Sequence, residues 1–337
     1  MNTTWLEFLA AAGAGENLES FGDSAAETAA AAQGTVITPL VDLGVIRAGG
    51  EEAASFLHNL LTNDVNGLAA DAWRRAGFCT PKGRLLADFR IWHEGSDLLL
   101  ALSADIHVAM LKKLSMYVLR AKVKLSDATA ERPLIGLAGP DAAARLAELG
   151  AAVPAAGGSV AFAAGTVLGL GNDRYLLSLQ GGQAQAIWQQ LSTKAKPVGL
   201  AAWRSLDVAA GDPRIVAATQ EQFIPQMINY VQVGGLSFKK GCYPGQEIVA
   251  RTQYLGKVKR HMVRARLDGA AAPGDAIYAP ETGEQACGNV AVAAPSPQGG
   301  TEVLVVAQSS CTAAGELHLG SLTGPTLALL SLPYTVE

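Results

Sequence analysis

The order of apolar and polar residues predicts a chain that alternates between strands and helices. An alanine-rich N-terminal stretch, residues 1–34, favours one or two helices because alanine loses little conformational freedom in a helix. The apolar, β-branched segment Val36–Ala48 then predicts a strand, and Glu51–Leu61 has the spacing of an amphipathic helix. The same plan recurs at Leu134–Ala138 and Asp141–Leu149. The repeated plan predicts two related α+β lobes.

Further elements are predicted within residues 35–255. The segment Ala76–Trp92 has the pattern of a hairpin that turns at Pro81–Gly83, and Asp97–Ser103 continues the sheet. Helical periodicity is found at Leu200–Ala210, which ends at a glycine. The polar residues of this part of the chain are therefore expected on a folded α+β core.

The pattern changes beyond Gly256, where short alternating stretches are separated by glycine and proline turns. The segments Ala276–Ala279, Gly288–Ala293 and Glu302–Val306 are predicted strands. Short strands at this spacing predict a small β-barrel as the C-terminal domain, residues 256–337.

Composition limits the class of protein. The 337 residues are 49% hydrophobic and 17% charged, as in a globular protein. A formal net charge of −4 argues against nucleic-acid binding driven by a positive field over the whole surface. The N-terminus lacks the pattern of a secretory signal, and no apolar run approaches the length of a membrane span. We expect a soluble, cytoplasmic protein with reduced cysteines.

The densest chemistry lies in residues 234–251, which read GGLSFKKGCYPGQEIVAR. The glycines and Pro244 predict a loop of specified shape. Cys242 follows two cations, Lys239 and Lys240, and cations stabilise the thiolate that acts as nucleophile or metal ligand. In the alternative, Cys242 is a small buried residue and the lysines contact solvent.

Patterns for other chemistries are missing from the sequence. The five histidines have no metal-ligand spacing and no two cysteines lie close together, so no metal site is predicted. The sequence has neither a phosphate-binding glycine loop nor a hydrolase nucleophile motif. The stretch around Cys242 therefore remains the main candidate site.

The octapeptide Lys240–Glu247, KGCYPGQE, resembles the signature K-G-C-Y-x-G-Q-E of the YgfZ family, and the likeness extends to Phe223–Gln226 and Val249–Arg251. Members are folate-binding proteins that support iron–sulfur enzymes, and they are similar in fold to the T-protein, the aminomethyltransferase of the glycine cleavage system. The resemblance implies an α+β fold in which two ferredoxin-like lobes form a folate-binding core, residues 35–255. An N-terminal helical segment, residues 1–34, precedes this core, and the small β-barrel follows it.

The resemblance also implies roles for individual residues. The candidate catalytic residues are Cys242, the essential reactive or ligand group, Lys240, its electrostatic support, and Tyr243 and Glu247, which shape the loop. Tetrahydrofolate or a derivative is the implied cofactor. Its implied contacts are Trp203, Phe238, Lys239, Gln246, Asp88 and Arg251.

Structural alternatives stay open for some of these residues. Trp203 and Phe238 can be core aromatics, because aromatic side chains dominate protein interiors. Gln246 and Glu247 can instead cap the segment that follows them, because polar side chains in loops often satisfy nearby backbone donors.

The resemblance implies a tetrahydrofolate-binding accessory protein that supports assembly or repair of iron–sulfur enzymes, including those that modify tRNA. Its implied partners are the folate and these client enzymes, with no direct binding of nucleic acid or membrane. One alternative is a folate-dependent aminomethyltransferase, which Ala87 and Ala209 disfavour because the T-protein has carboxylates at these places. Another is an interaction module with a vestigial folate pocket. Enzyme activity, the folate form, the clients, the oligomeric state and the chemistry of Cys242 stay open.

Overall fold

The computed structural model describes residues 3–15, 17–254, 256 and 258–336. Its helices are α1 (Thr3–Ala11), α2 (Ser24–Gln33), α3 (Ala53–Leu60), α4 (Ala104–Ser115), α5 (Ala142–Glu148), α6 (Ala184–Ser192), α7 (Leu200–Ala209), α8 (Gln246–Tyr254) and α9 (Ser309–Ala314). Short 3₁₀ turns occupy Ala217–Thr219, Pro225–Ile228 and Pro280–Thr282. Among the described residues, no helix has both the length and the apolar character needed to cross a membrane.

The strands of the first 200 residues are β1 (Val36–Pro39), β2 (Leu43–Gly49), β3 (Trp73–Cys79), β4 (Leu85–Glu94), β5 (Asp97–Ser103), β6 (Lys124–Asp127), β7 (Leu134–Ala138), β8 (Ser159–Phe162), β9 (Gly165–Gly171), β10 (Arg174–Leu179) and β11 (Lys196–Pro197). Those that follow are β12 (Arg260–Leu267), β13 (Ala276–Tyr278), β14 (Gly288–Pro295), β15 (Thr301–Gln308), β16 (His318–Leu319) and β17 (Ala328–Leu330). The protein is thus a mixed α+β protein, as the sequence predicts.

The chain divides into two compact units. The first unit comprises Met1–Leu57, Val65–Arg74 and Phe89–Trp203. The second unit comprises His58–Asp64, Arg75–Asp88 and Arg204–Glu337. The end of α3, the tip of the β3–β4 hairpin and the C-terminal part of the chain therefore belong to one unit. The division into residues 1–34, 35–255 and 256–337 stays a prediction.

The first unit contains a six-stranded sheet in the order β11-β1-β7-β10-β9-β8. Its pairs are antiparallel except for β1 and β11, which are parallel. Strands β7 and β10 are buried along their whole length. Such uninterrupted burial explains their nearly continuous apolar sequences, LIGLA and RYLLSL, since both faces of the sheet are covered. A five-stranded sheet of the chain has the order β3-β4-β5-β2-β6.

The predicted N-terminal helices are confirmed as α1 and α2. The side chain of Asp23 caps α2 by accepting a hydrogen bond from the backbone N–H of Ala26. The buried carboxylate of Glu27 accepts backbone N–H groups of Phe21 at 2.7 Å and Gly199 at 2.8 Å. Because Gly199 directly precedes α7, Glu27 fixes α2 to the start of that helix.

The second unit contains a six-stranded antiparallel sheet in the order β16-β13-β14-β15-β12-β17. It is a curled half-barrel, where the sequence predicts a small β-barrel. Its core includes Ile277, Val290 and Val305, which lie on three different strands, and the buried thiols Cys287 and Cys311. The alternation along β12, where every second or third residue is buried, is typical of a sheet with one covered face.

Candidate functional site

The segment that carries Cys242 is called here the cysteine loop, residues 234–245, and it runs directly into α8. The sequence predicts a loop as far as Arg251, and that prediction is wrong for its last six residues. Gln246, Glu247 and Arg251 lie on α8, with Glu247 in the first turn and Arg251 in the last. These positions complement the helix dipole. Cys242 therefore lies on the part of the stretch that is loop, before the start of α8.

The side chains of the cysteine loop differ in exposure. Cys242 is exposed, as is Lys239, whereas Lys240 and Tyr243 are buried. Phe238 is half-buried and meets the ring of Tyr254 edge-on, with ring centroids 5.9 Å apart. The thiol of Cys242 and the amine of Lys239 are thus the groups of the loop that a partner molecule reaches from solvent.

Lys240 closes the inner side of the loop. Its Nζ donates to the carbonyl oxygen of Gly241 at 3.1 Å and lies 4.7 Å from the centre of the Tyr243 ring, within the range of a cation–π contact. Burial lowers the pKa of Lys240 to about 8, although the charges of Asp64 and Cys242 act in the opposite direction. Burial also raises the pKa of Tyr243. A cation and a neutral phenol are therefore buried in the same loop that exposes the thiol.

The turn after α3 holds the start of the cysteine loop. Thr62 Oγ1 donates to the carbonyl oxygen of Gly235 at 2.7 Å, and Asn63 Nδ2 donates to that of Gly234 at 2.7 Å. In return, the backbone N–H of Ser237 donates to the carbonyl oxygen of Thr62 at 3.0 Å. Both Thr62 and Asn63 are buried. These hydrogen bonds fix the loop to a segment 170 or more positions away in sequence.

The tip of the β3–β4 hairpin holds the end of the cysteine loop. Gly245 has φ +82°, and a Cβ atom there would lie 2.4 Å from the carbonyl oxygen of Thr80 and 2.7 Å from Gly83. Any other residue would therefore be strained by its backbone conformation and would clash with the hairpin. This close approach explains why the octapeptide has glycine at this position.

A histidine and a carboxylate lie beside the cysteine loop. His58 Nδ1 is 3.0 Å from Asp64 Oδ1, and both residues flank the turn that holds the loop. His58 Nε2 faces the loop, since it would lie 3.6 Å from a Cβ atom added to Gly241, the neighbour of Cys242. The His58 side chain is mostly buried, with 13% of its surface exposed. Metal-ligand spacing among the histidines does not predict this histidine–aspartate pair.

Asp88, predicted to contact folate, lies in a cluster called here the buried ionic cluster: Arg75, Asp88, Asp212 and Tyr230. Asp88 Oδ1 accepts the backbone N–H of Ile215 at 2.7 Å, and its Oδ2 lies 3.4 Å from Arg75 Nη1. Arg75 also pairs with Asp212. Burial alone would lower the pKa of Arg75, but the two carboxylates hold that pKa above its usual value. The cluster is a charge-paired structure inside the second unit.

Tyr230 stands out within the buried ionic cluster. Its side chain is completely buried, and its hydroxyl has no hydrogen-bond partner among the residues that the structure describes. Burial raises the pKa of Tyr230, so the phenol stays neutral. A buried hydroxyl without a partner costs free energy, which makes it a ready partner for a polar group of a ligand.

Trp203 belongs to the first unit and is a core residue there. It is 2% exposed, and its ring packs so closely on Gly136 of β7 that a Cβ atom at Gly136 would lie 2.5 Å from the ring. Gly136 therefore makes room for the indole within the sheet. The folate contact predicted for Trp203 stays a prediction, and in this structure the ring is covered.

No group of three or more His, Cys, Asp or Glu side chains within the described ranges is arranged to hold a metal ion. Three of the four cysteines, Cys79, Cys287 and Cys311, are buried. Burial raises the pKa of both Cys79 and Cys287 to about 12. Cys242 is the cysteine whose surroundings suit chemistry with a molecule from solvent.

The family model described as GCVT N-terminal domain matches residues 8–207. The chain is 35% identical over 246 residues to tRNA-modifying protein YgfZ of Vibrio vulnificus (strain YJ016), covering 73% of this chain and 72% of that protein. It is 30% identical over 327 residues to tRNA-modifying protein YgfZ of Yersinia pestis (strain Pestoides F), covering 93% and 97%. Both relatives are bacterial proteins of similar length.

Among solved structures, the fold is similar to aminomethyltransferase T of the glycine cleavage system from Bartonella henselae. The TM-score is 0.75 at 19% identity, and the match covers 99% of this chain and 98% of that chain. This likeness confirms the predicted T-protein-like α+β fold, whereas the ferredoxin-like composition of its lobes stays a prediction. Family model and relatives agree with the octapeptide, and the chain belongs to the YgfZ family.

Proposed function

We propose that this protein is a cytoplasmic, tetrahydrofolate-binding accessory protein that supports assembly or repair of iron–sulfur enzymes, including those that modify tRNA. The observation that carries the proposal is the exposed thiol of Cys242 on a loop fixed at both ends and backed by buried Lys240. A thiol presented in this way suits contact with a client protein. The names of the relatives, which describe proteins that modify tRNA, support the same role.

The residues of the second unit fit the chemistry of a folate. Lys239 and Arg251 are exposed cations that would hold the glutamate carboxylates, and half-buried Gln246 would donate and accept hydrogen bonds at the pterin edge. The unpartnered Tyr230 hydroxyl offers a further polar contact. Asp88 already accepts hydrogen bonds from two donors, Ile215 and Arg75. Its carboxylate would therefore stay fixed in place beside a bound folate. When bound, the folate would supply its ability to carry one-carbon groups.

A folate-dependent aminomethyltransferase remains the second candidate, favoured by the likeness in fold to aminomethyltransferase T. Ala87 and Ala209 stand where the T-protein has carboxylates, and the remaining Asp88 is engaged by Ile215 and Arg75. The accessory role is therefore the preferred proposal. Formation of methylenetetrahydrofolate from an aminomethyl-loaded lipoyl carrier would reverse this preference.

Calorimetric titration with tetrahydrofolate tests the binding. We expect Lys239→Ala combined with Arg251→Ala to weaken binding about tenfold or more, because charge-assisted hydrogen bonds are lost. The matched control replaces two exposed cations outside the loop, Lys112→Ala with Arg120→Ala, and should bind like the wild type. Trp203→Phe tests the predicted tryptophan contact with less disturbance to the core than alanine. Equal affinity in all variants, or no binding by the wild type, would reject the folate site.

Rescue of iron–sulfur enzyme activity in cells that lack the protein tests the role of the thiol. Cys242→Ser should abolish rescue, because a hydroxyl replaces the exposed thiol with little change in size. Cys287→Ala, which removes a thiol from the core of the C-terminal sheet, is the control and should rescue. Full rescue by Cys242→Ser would contradict the proposal and leave an interaction module.

A further inference from the structure

Four side chains, His58, Asp64, Lys240 and Cys242, form what is called here the thiol cluster. They come from α3, from the turn that follows it and from the cysteine loop, and all belong to the second unit. Asp64 faces both His58, at 3.0 Å, and Lys240, whose charge it stabilises. Lys240 in turn interacts with Cys242. An acid, an imidazole, an amine and a thiol thus lie on or beside the part of the loop around Gly241.

We propose that Cys242 is a nucleophile whose proton is accepted by His58, that Asp64 orients the imidazole, and that soft electrophiles are its substrates. The inference deepens the proposed function. It rests on that function for the use of the thiol in the cell, but not for the reactivity of the thiol itself. In general, an activated cysteine needs a base within reach and a group that holds the base in place. His58 lies beside Gly241, the residue before Cys242, and Asp64 lies 3.0 Å from the other ring nitrogen of His58.

The tautomer of His58 follows from its partner. His58 Nδ1 lies 3.0 Å from Asp64 Oδ1 without hydrogen-bond geometry, and the nearby negative charge favours the tautomer that carries its proton on Nδ1. Nε2 then has the free lone pair, and Nε2 is the atom that faces Gly241, directly before Cys242. The ring nitrogen that can accept a proton is therefore the one directed towards the thiol-bearing segment.

With the probe iodoacetamide, the proposed step begins at the thiol. The S–H bond of Cys242 breaks and its proton moves to His58 Nε2. The thiolate sulfur attacks the methylene carbon, the C–S bond forms, and iodide leaves with the electron pair of the C–I bond. The imidazolium then returns its proton to solvent, and Lys240 stabilises the thiolate while it carries its charge.

The position of the segment explains why this geometry persists. Thr62 and Asn63, which lie between His58 and Asp64, are buried and hydrogen-bonded to the carbonyl oxygens of Gly235 and Gly234. The turn therefore cannot shift without breaking bonds to the loop it faces. The titratable groups beside this part of the cysteine loop are His58 on α3, Asp64 after the turn, and Lys240 and Tyr243 of the loop itself.

The test is the rate of Cys242 alkylation by iodoacetamide, measured by peptide mass spectrometry at pH 7 and at pH 10. We expect His58→Gln and Asp64→Asn to lower the rate at pH 7, His58→Gln by about tenfold or more. At pH 10 both variants should match the wild type, since hydroxide then removes the proton. A variant that only blocks access to the thiol would react slowly at both pH values, and that result would overturn the proposal.

The chain offers a matched control in His318, which lies 3.1 Å from Glu316 with 12% of its side chain exposed. His318 resembles His58 in burial and in having a carboxylate partner, but it lies on the edge strand β16. His318→Gln should leave the alkylation rate unchanged. Adding imidazole to His58→Ala should restore part of the rate at pH 7. A wild-type rate for His58→Gln at pH 7 would reduce the pair to a structural contact, whatever the folate titration and the rescue experiment give.

Discussion

The buried ionic cluster and the cysteine loop both concentrate charge in the second unit. They differ in whether the charged groups are paired with each other or left accessible. In the cluster, Arg75 is 4% exposed and its guanidinium is bound by Asp212, Asp88 and the carbonyl oxygen of Pro213. In the loop, Lys240 keeps a carbonyl and a ring as neighbours, and Cys242 and Lys239 reach solvent. Paired buried charges specify a structure, whereas the loop leaves groups available for chemistry.

The largest effect is expected from breaking the buried ionic cluster. Arg75→Met removes the cation that pairs with two buried carboxylates, Asp88 and Asp212, and removal of one partner from a buried pair costs about 3–5 kcal/mol. The free energy of unfolding, measured by urea titration, should fall by this amount. Arg120→Met removes an exposed arginine and should change that free energy by less than about 0.5 kcal/mol.

The double variant Arg75→Met with Asp212→Asn sharpens this prediction. It also removes the charge of one carboxylate that pairs with Arg75 in the wild type, so it should recover part of the lost stability. Equal stability of Arg75→Met and the wild type would mean that water reaches the charges of the cluster. The cluster would then not differ from the cysteine loop in how its charges are buried.

The sequence identifies residues 240–247 as a candidate site because their chemistry is local in the chain, and the role of these residues stays a prediction. It also predicted the hairpin around Pro81–Gly83 and the helix α7, since both follow from short-range patterns. Its error over Gln246–Arg251 came from the same glycines, which mark a loop but not where the following helix begins. Boundaries depend on capping contacts that a pattern does not show.

The long-range parts of the site were beyond the sequence. Arg75 and Asp212 are 137 positions apart, and Thr62 and Gly235 are 173 apart, so no local pattern joins them. Asp88 was selected through the resemblance, but its partners were not predicted. His58 and Asp64 carry one signal that could have been found, a histidine six positions before an aspartate at the end of a predicted helix. That signal gains meaning only once the turn is placed beside Gly241.

The next effect compares two glycines at the ends of the cysteine loop. Gly245→Ala should cost roughly 2–4 kcal/mol, because φ is +82° and the new Cβ would lie 2.4 Å from the Thr80 carbonyl oxygen. Gly234 has φ +71°, but a Cβ atom added there would have no described atom within 4 Å beyond its chain neighbours, so Gly234→Ala should cost about 1 kcal/mol. Urea titration of both variants separates backbone strain from the clash. Equal costs would show that the hairpin does not press on the loop.

The smallest effect concerns a single proton, and it contrasts Lys240 with the locked guanidinium of Arg75. Burial lowers the pKa of Lys240 to about 8, so its side-chain NMR signal should titrate near pH 8, well below the ordinary lysine value of about 10.4. The Lys240→Arg variant identifies the signal by removing it. Asp64→Asn should lower this pKa further, because Asp64 stabilises the charged form. Asp127→Asn, at an exposed carboxylate of β6, should not.

The same shift determines how stability depends on pH. Between pH 8 and about 10.5 the unfolded chain holds the Lys240 proton and the folded chain does not, so the free energy of unfolding rises with pH across this window. Lys240→Met should lack that rise. An ordinary titration of Lys240 would mean that water reaches the amine, and the loop would then lack the closed inner side that distinguishes Lys240 from exposed Lys239. Titration near pH 8 would instead show that the lysine beside Cys242 can lose its proton near neutral pH. Arg75, in contrast, stays charged over the whole range.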